Sequence, residues 1–344
     1  HKNIQQEPIC HFINGEYVGS ANGKMFETFD PVTGKVYAQV HEAGREEVNA
    51  AVNAAKSALN GEWAQLSMEK RLGLLYKLAD GINDRFDDFL KAECLDTGKP
   101  YSLASHVDIP RGAANFKVFA DVIKNVASES FMLETPDGKG ALNYALRVPK
   151  GVIAVISPWN LPLLLMTWKV GPALACGNTV VVKPSEETPA TTALLGEVMN
   201  EAGIPAGVFN VIHGFGPDSA GEYLTQHPDI DAITFTGETQ TGTAIMQQAA
   251  IGMRDVSFEL GGKNAGLVFA DCDMDKAIEG TMRSAFANCG QVCLGTERVY
   301  VERSIFDEFV TRLKEEAEKL KPGVPAEKET NFGPMVSLQQ RDKV

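Results

Sequence analysis

The sequence has few positive charges for its size, and this shortage excludes several classes of function. It holds 32 lysine and arginine residues against 45 aspartate and glutamate residues, so the formal net charge of its 344 residues is −13. Binding along a nucleic-acid backbone requires a face rich in lysine and arginine. Anionic lipid headgroups repel an acidic surface. The sequence therefore predicts a protein that binds neither nucleic acids nor membranes.

A long uninterrupted apolar run is also missing. The stretch 151–168 carries no charge, but Pro158, Asn160 and Pro162 lie in its middle. A helix in lipid would have to satisfy the backbone groups at these positions internally. We therefore expect a buried strand, a loop and a helix here. The N-terminus carries charged side chains and lacks the apolar core of a signal peptide.

Cysteine is sparse and scattered, which points to a reducing compartment. The chain has six cysteines and is far too long to need a disulfide framework. Only Cys289 and Cys293 lie close together, and they have neither CxxC spacing nor a nearby histidine. The cysteines predict a cytoplasmic protein without a metal site.

The middle of the chain alternates between strand and helix patterns. Apolar residues make up 44% of the sequence, too many for a disordered chain, and the length suggests about two domains. Strands too apolar to face water, separated by helices of 8–15 residues, are typical of a parallel sheet covered on both faces. The predicted fold class is therefore α/β, with a doubly wound parallel sheet. We expect strands at 151–157, 179–183, 209–212 and 232–236, and helices at 163–175, from Pro189 (capped by Thr188) to Gly203, at 219–226 and at 240–250.

Simpler patterns flank this region. Short strands (HFINGEYVG, KVYAQV) and helical stretches at 46–59 and 70–90 precede it. Residues 125–149 indicate two strands joined by a Pro-Asp-Gly turn, a hairpin suited to subunit contact. After Ser257 we expect a second βα series, with strands in FELGG, AGLVFA and RVYVE.

Ligands of such sheets bind beyond the carboxyl ends of the strands. The segments expected there are 157–160, 183–186, 213–216 and 236–238, which supply a lysine and two glycine-containing turns. Together with helix N-termini they could hold a nucleotide. The usual dinucleotide fingerprint is incomplete, because Ser219 stands at the position of its last glycine. These glycines could equally serve ordinary turns.

Two segments carry candidate reactive groups. Glu259 lies beside Gly261 and Gly262, which leave its carboxylate free to move, and Cys293 follows a loop. A cysteine, a glutamate base and a nicotinamide suffice to oxidise an aldehyde through a thiohemiacetal and a thioester. Taken singly, Cys293 could be a small buried hydrophobe and Glu259 a turn residue.

The order of the motifs SPWN, KPSE, FTG, ELGGK and GQVC resembles the aldehyde dehydrogenase superfamily from His11 to the last residue. Glu259 precedes Cys293 by 34 residues, a highly specific combination. The resemblance implies an NAD-binding domain at 1–126 and 150–258, an oligomerisation hairpin at 127–149 and the first part of an α/β catalytic domain at 259–344. Relatives are longer by a quarter to a third, so the 344-residue chain alone is expected to have little activity.

The resemblance also implies roles for individual residues. Cys293 matches the nucleophile and Glu259 the general base, while Asn160 and the Cys293 backbone N–H match the oxyanion hole. Lys169 lies on the helix behind Asn160. Glu186 would accept from both ribose hydroxyls and repel a 2′-phosphate, which favours NAD over NADP. The implied cofactor-binding residues are Ser157, Trp159, Lys183, Glu186, Gly216, Thr236, Gly237 and Gly261.

Two positions stand apart from the family pattern. Glu238 follows FTG where many members have serine, and a negative charge is unfavourable near a pyrophosphate. Cys289 matches no functional position, so we expect it to be buried.

Other segments, among them DIPRGAANFKVFAD and FANCGQVCLGTERVYVE, resemble a bacterial subfamily of the meta-cleavage pathway of catechol, within aromatic hydrocarbon catabolism. The implied substrate is 2-hydroxymuconic or 2-aminomuconic semialdehyde, whose distal carboxylate Arg111 could bind through two hydrogen bonds. Leu165 and Trp168 would line the apolar part of the channel. Arg111 could instead form a surface ion pair, and Leu165 and Trp168 could simply fill the core.

Three alternatives follow for the whole protein. The substrate could be a simple aliphatic or betaine-type aldehyde, or the chain could be a non-catalytic protein that retains the fold. The resemblance further implies a homodimer or homotetramer.

Overall fold

The structure is a computed structural model and describes residues 8–344. The strands are β1 (His11–Ile13), β2 (Glu16–Val18), β3 (Met25–Asp30), β4 (Lys35–His41), β5 (Ser130–Leu133), β6 (Ala141–Tyr144), β7 (Val152–Ile156), β8 (Thr179–Lys183), β9 (Phe209–Val211), β10 (Ala232–Thr236), β11 (Asp255–Glu259), β12 (Ala265–Val268) and β13 (Arg298–Val301). The α-helices are α1 (Arg45–Leu59), α2 (Glu62–Gln65), α3 (Met68–Asp84), α4 (Phe86–Thr97), α5 (Tyr101–Ala104), α6 (Asp108–Lys124), α7 (Pro162–Ala175), α8 (Ala190–Ala202), α9 (Ala220–Gln226), α10 (Thr239–Ile251), α11 (Met274–Phe286), α12 (Phe306–Ala317) and α13 (Leu338–Lys343).

The central element is a seven-stranded sheet with the order β11-β10-β7-β8-β9-β1-β2. The strands from β11 to β9 are parallel, and β1 joins β9 antiparallel. The register sets Ile156 beside Lys183 and Thr236 beside Glu259. Because the carboxyl ends of parallel strands meet at one edge, the segments after β7, β8, β10 and β11 converge there.

Apolar side chains on both faces of this sheet explain its layers. Successive side chains of a strand point to opposite faces. Ile153 and Val155 of β7 pack with α3, α6, α7 and α8. Val152, Ala154 and Ile156 pack on the other face with α1, α9 and α10. The predicted α/β fold with a doubly wound parallel sheet is confirmed.

The start of α8 differs from the prediction. The helix begins at Ala190 with Pro189 at its N-cap, so the expectation that Thr188 caps a helix starting at Pro189 is wrong. The physical reason is a cap from elsewhere: Asp96 Oδ2 of α4 accepts from the Ala190 N–H at 2.9 Å. At the other end the prediction is confirmed, because Gly203 ends the helix with a φ of +83°.

The predicted helical stretch 70–90 is interrupted. Arg85 has φ −109° and ψ 29° and separates α3 from α4. Its guanidinium pairs with Glu197 of α8 at 2.7 Å, which holds the break against a third helix. The apolar spacing continues through the break, so the sequence pattern does not show it.

The region after β10 also departs from expectation. The strand of FELGG is β11, which pairs with β10 in the large sheet, so the prediction that it opens a second series is wrong. The second sheet consists of β12 and β13, which pair in parallel. β5 and β6 form the expected antiparallel hairpin, and Gly138 of its Pro-Asp-Gly turn has a φ of +72°.

Two searches of the described chain found nothing. Within residues 8–344, no helix is both long and apolar enough to cross a membrane. Over the same range, no three histidine, cysteine, aspartate or glutamate side chains are grouped so that they could hold a metal ion.

Candidate active site

The loop after β7 reaches the loop that carries Cys293. Asn160 Nδ2 donates to the Gln291 carbonyl at 3.0 Å, and Asn288 Nδ2 donates to the Asn160 carbonyl at 3.1 Å. An amide NH2 group has two hydrogens, so Asn160 retains one for a further acceptor. Its Oδ1 is buried and has no hydrogen-bond partner among the described residues. The structure thus brings this amide within two residues of Cys293 along the chain.

The backbone before Cys293 has an unusual conformation. Asn288 and Cys289 have φ values of +52° and +58°, which few non-glycine residues adopt. Cys289 Sγ donates to the Gly333 carbonyl at 2.7 Å, and its side chain is half-buried. The expectation that Cys289 is buried is therefore wrong, because this bond holds it at the edge of the loop.

Cys293 itself is half-buried, and a neighbouring amide holds its backbone. Asn264 Nδ2 donates to the Cys293 carbonyl at 2.6 Å and to the Gly295 carbonyl at 2.9 Å. Asn264 directly follows ELGGK, so one side chain joins the two predicted reactive segments. The sequence analysis missed Asn264 and Gln291. For Asn264, its place beside the motif was an available signal.

Glu259 and Lys169 come together at the end of β11. Glu259 is exposed, and its carbonyl accepts from the Gly237 N–H at 3.1 Å. Lys169 is buried on α7 and donates to Thr234 Oγ1 at 3.2 Å. Burial lowers the pKa of Lys169 to about 8, although the charge of Glu259 opposes this shift. The two side chains are therefore electrostatically coupled.

Lys183 and Glu186 form an ion pair at the end of β8. Lys183 Nζ lies 3.0 Å from Glu186 Oε2. Burial raises the pKa of Glu186, but Lys183 and a backbone hydrogen bond outweigh this effect, so the pKa is lowered. The carboxylate is ionised at neutral pH and can accept hydrogen bonds from hydroxyl groups.

The other expected cofactor-binding residues lie along the same edge of the sheet. Thr236 is buried, and its Oγ1 has no hydrogen-bond partner among residues 8–344. An orphaned buried hydroxyl of this kind is available to a bound molecule. Ser157 is buried, Trp159, Gly216 and Gly237 are half-buried, and Gly261 is exposed.

Glu238 does not oppose this site with an unpaired charge. It occupies the N-cap of α10, but its carboxylate forms no cap and pairs instead with Lys343 of α13. The unfavourable charge expected from the sequence is thus partly neutralised by a residue about a hundred positions later.

The proposed substrate residues lie on α6 and α7. Asn115 joins these helices, since its Nδ2 donates to the Leu164 carbonyl at 3.0 Å. Trp168 is 43% exposed, and its ring meets Phe119 edge-on at 5.0 Å. Leu165 is half-buried, and Arg111 is exposed. No contact joins Arg111 to Asn160 or Cys293 among the described residues, and none of these residues forms a salt bridge with its guanidinium.

Comparisons with known proteins agree in one direction. The profile of the aldehyde dehydrogenase family matches residues 17–344. A 2-hydroxymuconic semialdehyde dehydrogenase of Pseudomonas sp. (strain CF600) is 73% identical over 336 residues, which is 98% of this chain and 69% of the relative. A 2-aminomuconic 6-semialdehyde dehydrogenase of Pseudomonas sp. is 57% identical over 97% of this chain and 68% of the relative.

Solved structures share the fold. The NAD+ complex of an aldehyde dehydrogenase from Bacillus cereus superposes with a TM-score of 0.95 at 41% identity, covering 99% of this chain and 68% of that one. A structure titled HpcC from Thermus thermophilus gives 0.93 at 37% identity, covering 98% and 65%.

Proposed function

The chain belongs to the aldehyde dehydrogenase family, and on this basis we propose that it oxidises 2-hydroxymuconic semialdehyde to the dicarboxylate with NAD. The observation that carries the chemistry is the junction at which the Asn160 amide bonds the loop of Cys293. The substrate rests on the similarity to the Pseudomonas relative that bears this name.

The residues of the chain divide the reaction between them. The Cys293 thiolate attacks the aldehyde carbon, and the free hydrogen of the Asn160 amide stabilises the oxyanion that forms. After hydride loss leaves a thioester, the Glu259 carboxylate takes a proton from water, whose oxygen attacks the acyl carbon and frees the thiolate. Lys169 favours the ionised form of Glu259, since its amine lies close enough to interact with that carboxylate.

NAD fits the edge of the sheet next to these groups. Lys183 and Glu186 would hold the adenosine ribose, and the unpartnered hydroxyl of Thr236 would face the pyrophosphate. When bound, NAD supplies the acceptor for the hydride. The carboxylate of Glu186 would repel a 2′-phosphate and so disfavour NADP. Ser157, Trp159, Gly216, Gly237 and Gly261 complete the proposed cofactor-binding set.

Arg111 is the proposed group for the distal carboxylate of the substrate. Its guanidinium is exposed, and no described residue forms a salt bridge with it. The partly exposed face of Trp168, with Leu165, would cover the conjugated chain of the substrate. The alternative in which Arg111 only forms a surface ion pair has no partner within residues 8–344.

The test measures NADH absorbance with 2-hydroxymuconic semialdehyde, 2-aminomuconic semialdehyde, betaine aldehyde and a simple aliphatic aldehyde. We expect the wild-type protein to prefer the muconic semialdehydes. Arg111→Ala should lower kcat/KM for them by about 10- to 100-fold, the loss of a charge-assisted pair of about 1.5–3 kcal/mol. Its kcat/KM for the aliphatic aldehyde should not change.

Lys117→Ala is the matched control, because Lys117 is an exposed cation of α6 that pairs with Asp80. It should leave all the aldehydes unaffected. A wild-type preference for betaine or aliphatic aldehydes would replace the proposed substrate. Absence of NADH with every aldehyde would support the non-catalytic alternative.

We further propose that residues 1–126 and 150–258 bind the cofactor, that 259–344 begin the catalytic domain and that the hairpin of 127–149 joins two copies of the chain. The hairpin presents apolar side chains to solvent: Met132 is 67% and Leu142 is 63% exposed, and they are cross-strand partners. Contiguous exposed apolar surface of this kind marks an interface.

Sedimentation of the double variant Met132→Glu/Leu142→Glu tests the hairpin. Two like charges opposite each other in an apolar interface should convert dimers or tetramers into smaller species. Met246→Glu places the same charge on an exposed methionine of α10 and should leave the assembly intact. An unchanged sedimentation coefficient for the hairpin variant would move the interface elsewhere.

A further inference from the structure

Three buried charged side chains lie close to the start of α7 and have no part in the chemistry above. Glu93 of α4, Lys99 after α4 and Asp108 of α6 are each no more than 1% exposed. Lys99 Nζ lies 2.6 Å from Asp108 Oδ1 and 3.7 Å from Glu93 Oε1. Burial of such groups is unfavourable unless their geometry and hydrogen bonds compensate. We therefore asked what the cluster holds in place.

The start of α7 lacks a capping side chain of its own. Its N-cap is Leu161, which has no side-chain oxygen, and Pro162 has no N–H. The first N–H of the helix is that of Leu163, and Glu93 Oε2 accepts from it at 3.2 Å. Glu93 thus supplies from α4 the acceptor that a serine or an aspartate usually supplies at an N-cap. Asn160 lies three residues before this bond.

The end of α4 also contacts the loop of the nucleophile from the other side. A Cβ atom on Gly333 would lie 2.6 Å from the Gly98 carbonyl oxygen, so the two backbones touch directly. The Gly333 carbonyl accepts from Cys289, and the bond from Asn160 to Gln291 closes the circuit. One end of α4 therefore fixes both sides of the junction on which the oxyanion hole depends.

We propose that Glu93 is a positioning residue, which fixes the start of α7 and thereby holds the Asn160 amide against the nucleophile loop. Lys99 and Asp108 hold the Glu93 carboxyl group in its orientation. The inference rests on the proposed function, in which Asn160 donates to the oxyanion. Glu93 touches no reacting atom and acts only through α7.

The surroundings of Glu93 also define its protonation state. Burial raises the pKa of Glu93 to about 8; Lys99 opposes this shift, and Asp108 and Asp96 add to it. Cys94 is the other titratable neighbour. Glu93 is therefore protonated at neutral pH, and the trio with Lys99 and Asp108 has no net charge. Glutamine, which is neutral and of the same shape, is the conservative replacement.

Kinetics of three variants test the inference. Glu93→Ala leaves the Leu163 N–H without its acceptor, and misplacement of the oxyanion donor should lower kcat on the order of 100-fold. KM for NAD should stay unchanged. Glu93→Gln keeps the acceptor and should restore most of kcat. Lys91→Ala, on the exposed face of the same helix, should behave as wild type.

A double-mutant cycle separates positioning from general loss of structure. If Glu93 acts through Asn160, Glu93→Ala should lower kcat no further in an Asn160→Ala background. Independent, additive losses would overturn the inference. The alkylation rate of Cys293 by iodoacetamide should be equal in all variants, because this reaction forms no oxyanion.

The pH profile gives a second readout. Above about pH 8 Glu93 loses its proton and places a second negative charge beside Asp108. The kcat of the wild-type protein should therefore decline on the alkaline side, whereas Glu93→Gln should lack this decline. The same decline in both proteins would contradict the assignment.

Hydrogen exchange makes the two proposals separable. Amide exchange in peptides covering residues 160–168 should accelerate in Glu93→Ala and not in Glu93→Gln, and this measurement needs no activity. Unchanged exchange in Glu93→Ala, or an active wild type whose kcat does not respond to it, would overturn the positioning role. A wild type that forms no NADH with any aldehyde would overturn the proposed function instead.

Discussion

Replacement of Cys293 by serine should abolish NADH formation. A serine hydroxyl is scarcely ionised at neutral pH, so the aldehyde carbon has no competent nucleophile at this position. Loss of a catalytic nucleophile typically lowers kcat by about 10⁴- to 10⁶-fold. NAD binding, measured by quenching of tryptophan fluorescence, should be retained because the proposed cofactor contacts lie on other segments. Rapid-mixing absorbance at 340 nm measures both the burst and the steady state.

Cys176→Ser is the control for this experiment. Cys176 is an exposed thiol directly after α7 and has no assigned role. Its replacement should leave turnover intact and remove only one site of alkylation. Turnover that survives in Cys293→Ser and fails in Cys176→Ser would contradict the assignment of the nucleophile.

Replacement of Asn160 by alanine should give the second largest loss. The side chain donates to the Gln291 carbonyl and retains a second hydrogen for the oxyanion. Removal of one such donor lowers kcat by about 10²- to 10³-fold, or about 2.7–4 kcal/mol of transition-state stabilisation. KM for NAD should change little, since this contribution is made only in the transition state.

Two measurements show whether Asn160 acts on the oxyanion or only on the loop. Asn160→Asp keeps the size of the side chain but carries a negative charge, so it should be at least as inactive as Asn160→Ala. Alkylation of Cys293 should proceed at the wild-type rate in Asn160→Ala. A large fall in the alkylation rate, matching the fall in kcat, would assign Asn160 to placement of the loop.

The strands of the large sheet were predictable because burial on both faces leaves a continuous apolar run. Thr179–Lys183 and Ala232–Thr236 have the predicted bounds. Their order could not be read in the same way, since pairing of β11 with β10 depends on contacts between distant segments. Helix ends failed for the same reason: the cap of α8 comes from Asp96, about ninety residues earlier.

Within the site, the sequence identified candidate side chains but not their contacts. The motif around Asn160 indicated a donor, yet nothing local predicted that Gln291 would accept from it. The electrostatic coupling of Lys169 with Glu259 likewise arises because α7 packs across the sheet beneath β10 and β11. Long-range packing, which no spacing along the chain encodes, determines which reactive groups meet.

The place of β1 in the sheet also constrains how the protein is made. Phe12 pairs with Val211, so the first strand to leave the ribosome must wait for a partner made about 200 residues later. At about 5–20 residues per second, this delay is about 10–40 s. During that time the buried residues of β1 have no sheet to join. The nascent chain therefore requires either a chaperone or transient local contacts to keep this apolar segment from aggregating before β9 emerges.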